Sequence, residues 1–197
     1  YYLMFRDNTD EELWTKLIQN TLQNDKVIPI RQYTPFKMSK LYLQHHFPEL
    51  DIRDYYDKFF YPERYYNALQ SQNRFFNDTN KMEFTQYLFG RIYIEPTHYI
   101  VFHNLILLRH CLMPQKIAIN YYVEGEYMPL EKRLTAKQKL GSKLMSYEGW
   151  EILDITEKEH KDMTVEERDD FYRGWLLAAK EKQIEKGIIP REEPQYV

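Results

Sequence analysis

Five cationic side chains lie within twelve residues of the C-terminal half of the chain. They are Lys132, Arg133, Lys137, Lys139 and Lys143. Cations spaced along one helix contact the phosphates of a nucleic acid and fix its register without reading the bases. A solvated helix face has the same composition. The pattern therefore supports two interpretations, an RNA-binding helix or an ordinary polar surface.

A second group with binding chemistry is aromatic and lies in the N-terminal half. Between residues 55 and 76, nine of twenty-two residues are Tyr or Phe, and Arg64 and Arg74 lie among them. Aromatic faces beside arginine stack on unpaired bases, and the same residue types are enriched in protein–protein interfaces. Because the region is neutral overall, core packing and a partner-facing surface are favoured over base stacking. The residues assigned to this surface are Tyr55, Tyr56, Phe59, Phe60, Tyr65 and Tyr66.

Other reactive residue types lack the spacing that common sites need. A zinc site needs four ligands at defined spacing, and on a helix Cys111 points roughly 100° away from His110. The sequence has no glycine-rich phosphate loop. Neither Ser142 nor Ser146 has a histidine or an acid at the spacing of a hydrolase triad. We therefore expect no metal, no cofactor and no catalytic residue.

The elements that carry the cationic stripe are predicted by residue spacing from Lys116 onward. Apolar residues alternate before Gly125, which is typical of a strand that ends in a turn. The predicted elements are, in order, a strand over 117–123, a helix over 135–147, a strand over 150–155, and a helix that a capping box at Thr164 opens and Gly187 closes. This order with short connections predicts a small α/β unit.

The N-terminal half has mostly helical spacing. A capping box of Thr9 and Glu12 is predicted to open one helix, and another is predicted over 38–46. The most apolar run covers 99–113 and is interrupted by polar residues. It is shorter than the roughly 20 residues of a membrane span. We therefore predict a buried helix there and no transmembrane segment.

Composition and charge limit the classes of function. The 197 residues are 43% hydrophobic, enough to bury the core of one domain or of two small ones. The formal charge of -3 argues against a uniformly basic, phosphate-coating protein. Charge divides near Pro114, because the residues before it are neutral overall and those from Lys116 onward supply the whole excess of acid. We predict an α+β chain with a mostly helical region over 1–114, an α/β domain over 115–189 and a tail over 190–197.

The order and spacing of motifs in the C-terminal unit resemble those of a RAP domain. The matching features are an acidic-Gly turn at Glu124-Gly125, a helix entered through Leu-Thr-Ala-Lys at 134–137, and a strand beginning Gly149-Trp150-Glu151-Ile152-Leu153. The resemblance covers about residues 116–186. RAP domains are C-terminal modules of FAST-kinase-like proteins of organellar RNA metabolism, and they are similar to a reduced restriction-endonuclease fold of the Vsr type. The resemblance implies this fold, binding to RNA and a mitochondrial location.

The resemblance also implies where a nuclease site would lie. Glu124 takes the place of the acidic residue of the family's turn, where active nucleases of that fold hold Mg²⁺ to activate a water. No histidine follows the turn, and Glu151 has no lysine at the required spacing. The acidic-x-Lys letters at 159–161 are predicted to lie in a loop. We therefore expect Glu124 and Glu126 to form a vestigial acidic site without nuclease activity.

Two functions are consistent with these patterns. The first is a non-catalytic, RNA-associated protein of an organelle that acts in RNA processing or translation, for example in a mitochondrial ribosome. The second is a structural scaffold subunit of a large mitochondrial assembly, such as a respiratory or ATP synthase complex, that binds other protein subunits and no RNA. The acidic overall charge favours the scaffold. The concentrated cations and the resemblance favour RNA, which is the first expectation.

Overall fold

A computed structural model describes residues 4, 6, 9–23, 30–49, 79–94, 100–102, 106–128 and 134–190 of the chain. The helices within these residues are α1 (Glu11–Gln23), α2 (Ile30–His46), α3 (Thr79–Ile92), α4 (Ala136–Tyr147), α5 (Glu157–Asp162) and α6 (Val165–Glu185). The strands are β1 (Ile100–Phe102), β2 (Ile106–Leu108), β3 (Cys111–Leu112), β4 (Ile117–Tyr122) and β5 (Glu151–Thr156). This combination of helices with a small sheet confirms the prediction of a mixed α+β chain.

The sheet that organises the C-terminal half has the strand order β3-β4-β5. β3 runs antiparallel to β4, while β5 runs parallel to β4 in a register from Ile117 opposite Glu151 to Tyr122 opposite Thr156. A parallel pair needs a crossover connection, and α4 lies in that crossover. β1 and β2 form a separate antiparallel pair.

One face of the three-stranded sheet is covered by α1, α2 and α4. Residues that point to this face include Ala118, which is fully buried. It belongs to an apolar cluster with Leu140, Leu144 and Met145 of α4 and with Trp150. The same cluster includes Trp14 and Ile18 of α1 and Tyr42 of α2. The N-terminal helices therefore pack against the C-terminal crossover helix.

The opposite face of the sheet is covered by α3 and α6. Because successive strand residues alternate between faces, Ile117, Ile119 and Tyr121 all point to this second apolar cluster. The ring of Phe84 stacks on that of Tyr121 with centroids 4.1 Å apart, and Tyr172 of α6 is fully buried beside them. Both clusters therefore contain residues from before and after position 114.

The elements predicted from Lys116 onward are confirmed. β4, α4, β5 and α6 lie where the spacing placed them, and Thr164 caps α6 through a capping box with Glu167. Gly149, which ends α4, has a φ of +85° that side-chain-bearing residues rarely adopt. A Cβ at that position would also lie 3.3 Å from the Cδ1 atom of Ile188, so both the backbone and the packing favour glycine there.

The buried helix predicted over 99–113 is wrong. β1, β2 and β3 occupy the described parts of that segment, with Ile100 paired to Leu108. The spacing of residues in a short apolar run does not by itself distinguish a buried strand from a buried helix. Polar residues between two apolar triplets, here His103-Asn104, are as typical of a hairpin as of an interrupted helix.

Three local predictions also need correction. The residue that caps α1 is Asp10 rather than Thr9, because the Leu13 N–H donates to Asp10 Oδ1 at 3.0 Å. The helix predicted over 38–46 begins earlier, at Ile30. Residues 159–161 lie in α5 rather than in a loop, since Thr156 forms a capping box with Glu159 that opens this helix.

The predicted lack of a transmembrane segment agrees with the helices of the described residues. None of them is both long enough and apolar enough to cross a membrane.

Candidate functional site

The helix α4 carries the described part of the cationic stripe, and its start is fixed by a cap. Thr135 Oγ1 accepts from the Gln138 backbone N–H, and the Thr135 N–H donates to Gln138 Oε1 at 2.8 Å. The Gln138 side-chain amide donates onward to the Glu126 carbonyl. This reciprocal arrangement satisfies donors that a helix start leaves open, and it ties α4 to the turn that follows β4.

The lysines of α4 differ in their surroundings. Lys139 is exposed, whereas Lys143 is half-buried and its Nζ lies 3.5 Å from the Met4 carbonyl oxygen. The two residues are four apart and so lie on one side of the helix. For Lys137 the structure describes only the helical backbone, and Lys132 and Arg133 lie outside the described residues.

The charge of α4 is entirely positive. Its sequence contains three lysines and no acidic residue. The first turn of a helix carries a partial positive charge from its aligned peptide dipoles, and the predicted stripe continues through this end of α4. The helix therefore presents a positive potential that no carboxylate on the same helix offsets.

A partly buried polar cluster holds α4 against the sheet beside its apolar contacts. Asp154 Oδ1 accepts hydrogen bonds from Ser142 Oγ at 2.8 Å, Asn120 Nδ2 at 3.1 Å and Tyr122 Oη at 3.1 Å. Asn120 in turn accepts the backbone N–H of Arg109 through its Oδ1 at 3.1 Å. Burial and the neighbouring carboxylate raise the pKa of the Tyr122 phenol, so this hydroxyl remains a donor.

This cluster was missed by sequence reasoning. The spacing of Ser142 was assessed only for a hydrolase triad, and Asp154 was not singled out. Asn120 and Asp154 are directly opposite each other in the parallel register, so their proximity depends on a pairing between residues far apart in sequence. The available signal was a polar residue in the interior of each strand, Asn120 in β4 and Asp154 in β5.

Glu126 lies in a cationic environment next to the turn. Its carboxylate pairs with both terminal nitrogens of Arg109, at 2.7 and 2.9 Å, and with Lys81 Nζ at 3.0 Å. Glu126 Oε2 also accepts a hydrogen bond from the Val123 backbone N–H at 3.0 Å. Burial alone would raise the pKa of Glu126, but the two cations and this N–H outweigh it and lower that pKa.

Glu124 and Glu126, the two residues of the predicted acidic site, point to different surroundings. Glu124 is exposed, while Glu126 is directed at Arg109. The Glu124 backbone N–H donates to Glu157 Oε2 at 3.0 Å, and Lys161 pairs with that same Glu157 carboxylate. Across the described residues, no group of three or more His, Cys, Asp or Glu side chains is arranged to hold a metal ion.

Two buried histidines lie on the other side of the sheet. Burial lowers the pKa of His110 and of His160 to about 4. His110 Nε2 lies 2.9 Å from Thr85 Oγ1 and its Nδ1 lies 3.1 Å from the Ile119 carbonyl oxygen. His160 Nδ1 lies 2.9 Å from the hydroxyl of Tyr172. Both imidazoles are therefore neutral near pH 7 and belong to the core.

The predicted aromatic surface cannot be placed. Its residues Tyr55, Tyr56, Phe59, Phe60, Tyr65 and Tyr66 all lie outside the described residues.

No protein-family model matches this chain, and no curated protein matches its sequence.

Proposed function

We propose that the chain is a non-catalytic, RNA-associated protein of a mitochondrion that uses α4 to contact RNA phosphates. Its role is in RNA processing or translation, for instance as a component of a mitochondrial ribosome. The location and the process rest on the resemblance to RAP domains. The contact surface rests on the charges and packing of α4.

The observation that carries this proposal is a fully positive helix fixed at several points. α4 has three lysines and no acid, a capped start at Thr135, and a Ser142–Asp154 hydrogen bond of 2.8 Å to the sheet. Phosphate contacts position a nucleic acid without reading its sequence. A helix held in this way keeps its cations at constant spacing, which suits contact with successive phosphates.

The proposal of a non-catalytic role is supported by the state of the carboxylates near the ends of β4 and β5. Glu126 is paired with Arg109 and Lys81, Glu157 is paired with Lys161, and one oxygen of Asp154 accepts three hydrogen bonds. A metal ligand or a general base would have to give up these partners first.

A scaffold function without RNA binding is the second candidate. It is favoured by the formal charge of -3 and by apolar side chains that remain exposed on α6, above all Leu177, which is 62% exposed. RNA binding distinguishes the two candidates, because a scaffold has no need of it.

The test compares two variants of equal charge. Lys137→Gln/Lys139→Gln/Lys143→Gln removes three cations from α4. Lys16→Gln/Lys158→Gln/Lys180→Gln removes three cations from other surfaces, where Lys16 and Lys158 each pair with an exposed acid of their own helix. Binding of a mixed-sequence single-stranded RNA is measured by fluorescence anisotropy at several salt concentrations.

We expect the α4 variant to bind at least about tenfold more weakly at moderate salt. The slope of log affinity against log salt should also fall by about 2, since each lost single-strand phosphate contact contributes roughly 0.7. The control variant should bind almost as the unmodified chain does. Equal weakening of the two variants would mean that only net charge matters and would remove α4 from the proposal.

A further inference from the structure

The outward face of α6 has an apolar centre that no described part of the chain covers. α6 buries Tyr172, Leu176 and Ala179 against the sheet and α3. On its other side Phe171 is 40% and Leu177 is 62% exposed. Gly174, which lies between them along the helix, and Ala178, which follows Leu177, are exposed as well. At 3.6 residues per turn these four positions fall within a sector of about 120°.

Gly174 is not explained by contacts with the described residues of the chain. It lies in the middle of α6, where glycine destabilises a helix relative to alanine. Its φ is not in the left-handed region, and a Cβ placed there would meet no atom of the described residues within 4 Å. A glycine on an exposed apolar face allows the backbone of another helix to approach closely. An approach of that kind by another molecule is a physical reason for its presence.

The two ends of the same sector are acidic. Glu167 and Asp170 precede the apolar centre, and Glu181 and Glu185 follow it; all four are exposed. Asp170, Glu181 and Glu185 form no ion pair with another residue of the described ranges. Glu181 and Glu185 are like charges four residues apart near the C-terminal end of a helix, an arrangement that is unfavourable on both counts.

We infer that this face, the α6 docking face, binds an amphipathic helix of a partner protein whose apolar stripe is flanked by Lys or Arg at both ends. The face is defined by Glu167, Asp170, Phe171, Gly174, Leu177, Ala178, Glu181 and Glu185. From Glu167 to Glu185 it is about 27 Å long at 1.5 Å per residue. A partner helix of about 18 residues matches that length.

Charge disfavours the other occupants of this face. Two copies of α6 placed face to face would bring acid against acid in either the parallel or the antiparallel orientation, because both ends are acidic. An RNA backbone or an anionic lipid surface would meet the same repulsion. A basic-flanked helix covers the apolar centre and neutralises both ends, which is the helix-in-groove mode of recognition.

This inference does not depend on the proposed RNA contact. α4 covers the face of the sheet that carries Ala118, and α6 covers the opposite face, which carries Ile119. Substitutions that abolish binding at one helix therefore leave the other helix unchanged.

The test uses three synthetic 18-residue helical peptides and the full chain. The first has leucines on one stripe and lysines in its first and last turns. The second replaces the lysines by glutamates, and the third keeps the lysines but distributes the leucines around the helix. Binding is measured by fluorescence anisotropy, together with binding to vesicles that contain anionic phospholipid.

We expect the lysine-flanked amphipathic peptide to bind with a dissociation constant of about 10–100 µM, typical of a small transient interface. The other two peptides should bind at least about tenfold more weakly. Glu181→Lys/Glu185→Lys should reverse the preference between the lysine-flanked and glutamate-flanked peptides. Gly174→Gln should weaken binding of the first peptide at least about fivefold without lowering the melting temperature.

Gly90→Gln is the matched control, because Gly90 is also a helical glycine whose Cβ would lie more than 4 Å from the atoms that the structure describes. It should leave peptide binding unchanged. Several outcomes would overturn the inference: equal binding of the lysine-flanked and glutamate-flanked peptides, no effect of Gly174→Gln, or binding to anionic vesicles without binding to the first peptide.

Discussion

At the scale of single residues, Asp154 connects the candidate RNA-binding helix to the sheet. Its Oδ1 receives donors from α4 and from two positions of β4. Two of these donors, on Asn120 and Tyr122, belong to buried residues. A buried donor that loses its acceptor gives up a hydrogen bond without regaining one from water. Asp154 therefore has a larger effect on stability than its partial exposure suggests.

Asp154→Ala should lower the free energy of unfolding by about 2–4 kcal/mol, because two buried donors and the Ser142 hydroxyl lose a charged acceptor. Asp154→Asn keeps an acceptor oxygen and should lose only about 1 kcal/mol. Urea unfolding followed by circular dichroism measures both values. Equal losses for the two variants would show that the hydrogen bonds at Oδ1 do not contribute as described.

The buried histidines predict how stability depends on pH. Burial lowers the pKa of His110 and of His160 from 6.5 to about 4. The unfolded chain therefore binds protons at a higher pH than the folded chain does. Their contribution to stability is fully present above about pH 6.5 and is lost as the pH falls toward 4.

The unfolding free energy should fall between pH 6.5 and pH 4.5 by up to about 1.4 kcal/mol per pH unit for each histidine. His160→Gln should remove about half of this dependence of the unfolding free energy on pH. Urea unfolding of both proteins at pH 7, 6 and 5 measures the dependence. The lowered pKa values of Glu126 and Glu157 add their own loss only below about 4.5, so they do not obscure this window. An unfolding free energy that is constant from pH 7 to pH 5 would contradict the neutral, buried state of both rings.

Single-residue roles were the least predictable from sequence. Arg109, Lys81 and Glu126 come from three separate segments and meet only in the folded chain. Before the fold is known, a sequence marks such residues only as charged. The predicted acidic pair at Glu124 and Glu126 shows the same difficulty, because the turn sets the two side chains in different surroundings.

At the scale of elements, local signals predicted the C-terminal half well. The predicted capping box at Thr164 is formed by residues three apart, and strand alternation over 117–122 is read directly from the chain. The prediction of a helix over 99–113 was wrong because the apolar triplets of this segment fit either a strand or a helix. Only the pairing of the triplets decides between the two. The six-residue helix α5 was missed because the pattern of one and a half turns is too short to recognise.

Substituting alanine for Gly174 in α6 and for Gly149 after α4 should change the stability of the chain in opposite directions. Gly174→Ala should stabilise the chain by up to about 1 kcal/mol, since helix propensity improves and the new methyl group enters open space. Gly149→Ala should destabilise it by about 1–2 kcal/mol, because its φ is +85° and the new Cβ would crowd Ile188. Thermal unfolding measures both changes. A loss of stability in Gly174→Ala would show that the fold itself needs this glycine.

At the scale of the whole molecule, the two faces of the sheet carry helices of opposite charge. α4 has three lysines and no acid, whereas α6 has six acids and four bases and so a formal charge of -2. The overall charge of -3 therefore hides a separation of charge between two surfaces. This separation suits a chain that contacts RNA through α4 and a basic protein segment through the α6 docking face.

A fragment of residues 115–190 should not fold by itself, because both apolar clusters need helices from before position 115. The fragment would lose Phe84 and Leu88 from one cluster and Trp14 and Tyr42 from the other. Each large apolar side chain contributes about 1.5–3 kcal/mol when fully buried. The amide proton spectrum of the fragment should show poor dispersion, while that of the full chain is well dispersed. A well-dispersed fragment spectrum would contradict the shared core.

Cross-link mapping tests whether RNA lies along α4. The intact chain is irradiated with a single-stranded RNA that contains 4-thiouridine, and the cross-linked peptides are identified by mass spectrometry. We expect cross-links concentrated in residues 132–147 that disappear with increasing salt, with few in residues 165–185. Cross-links concentrated on α6, or spread evenly over the surface, would contradict that expectation.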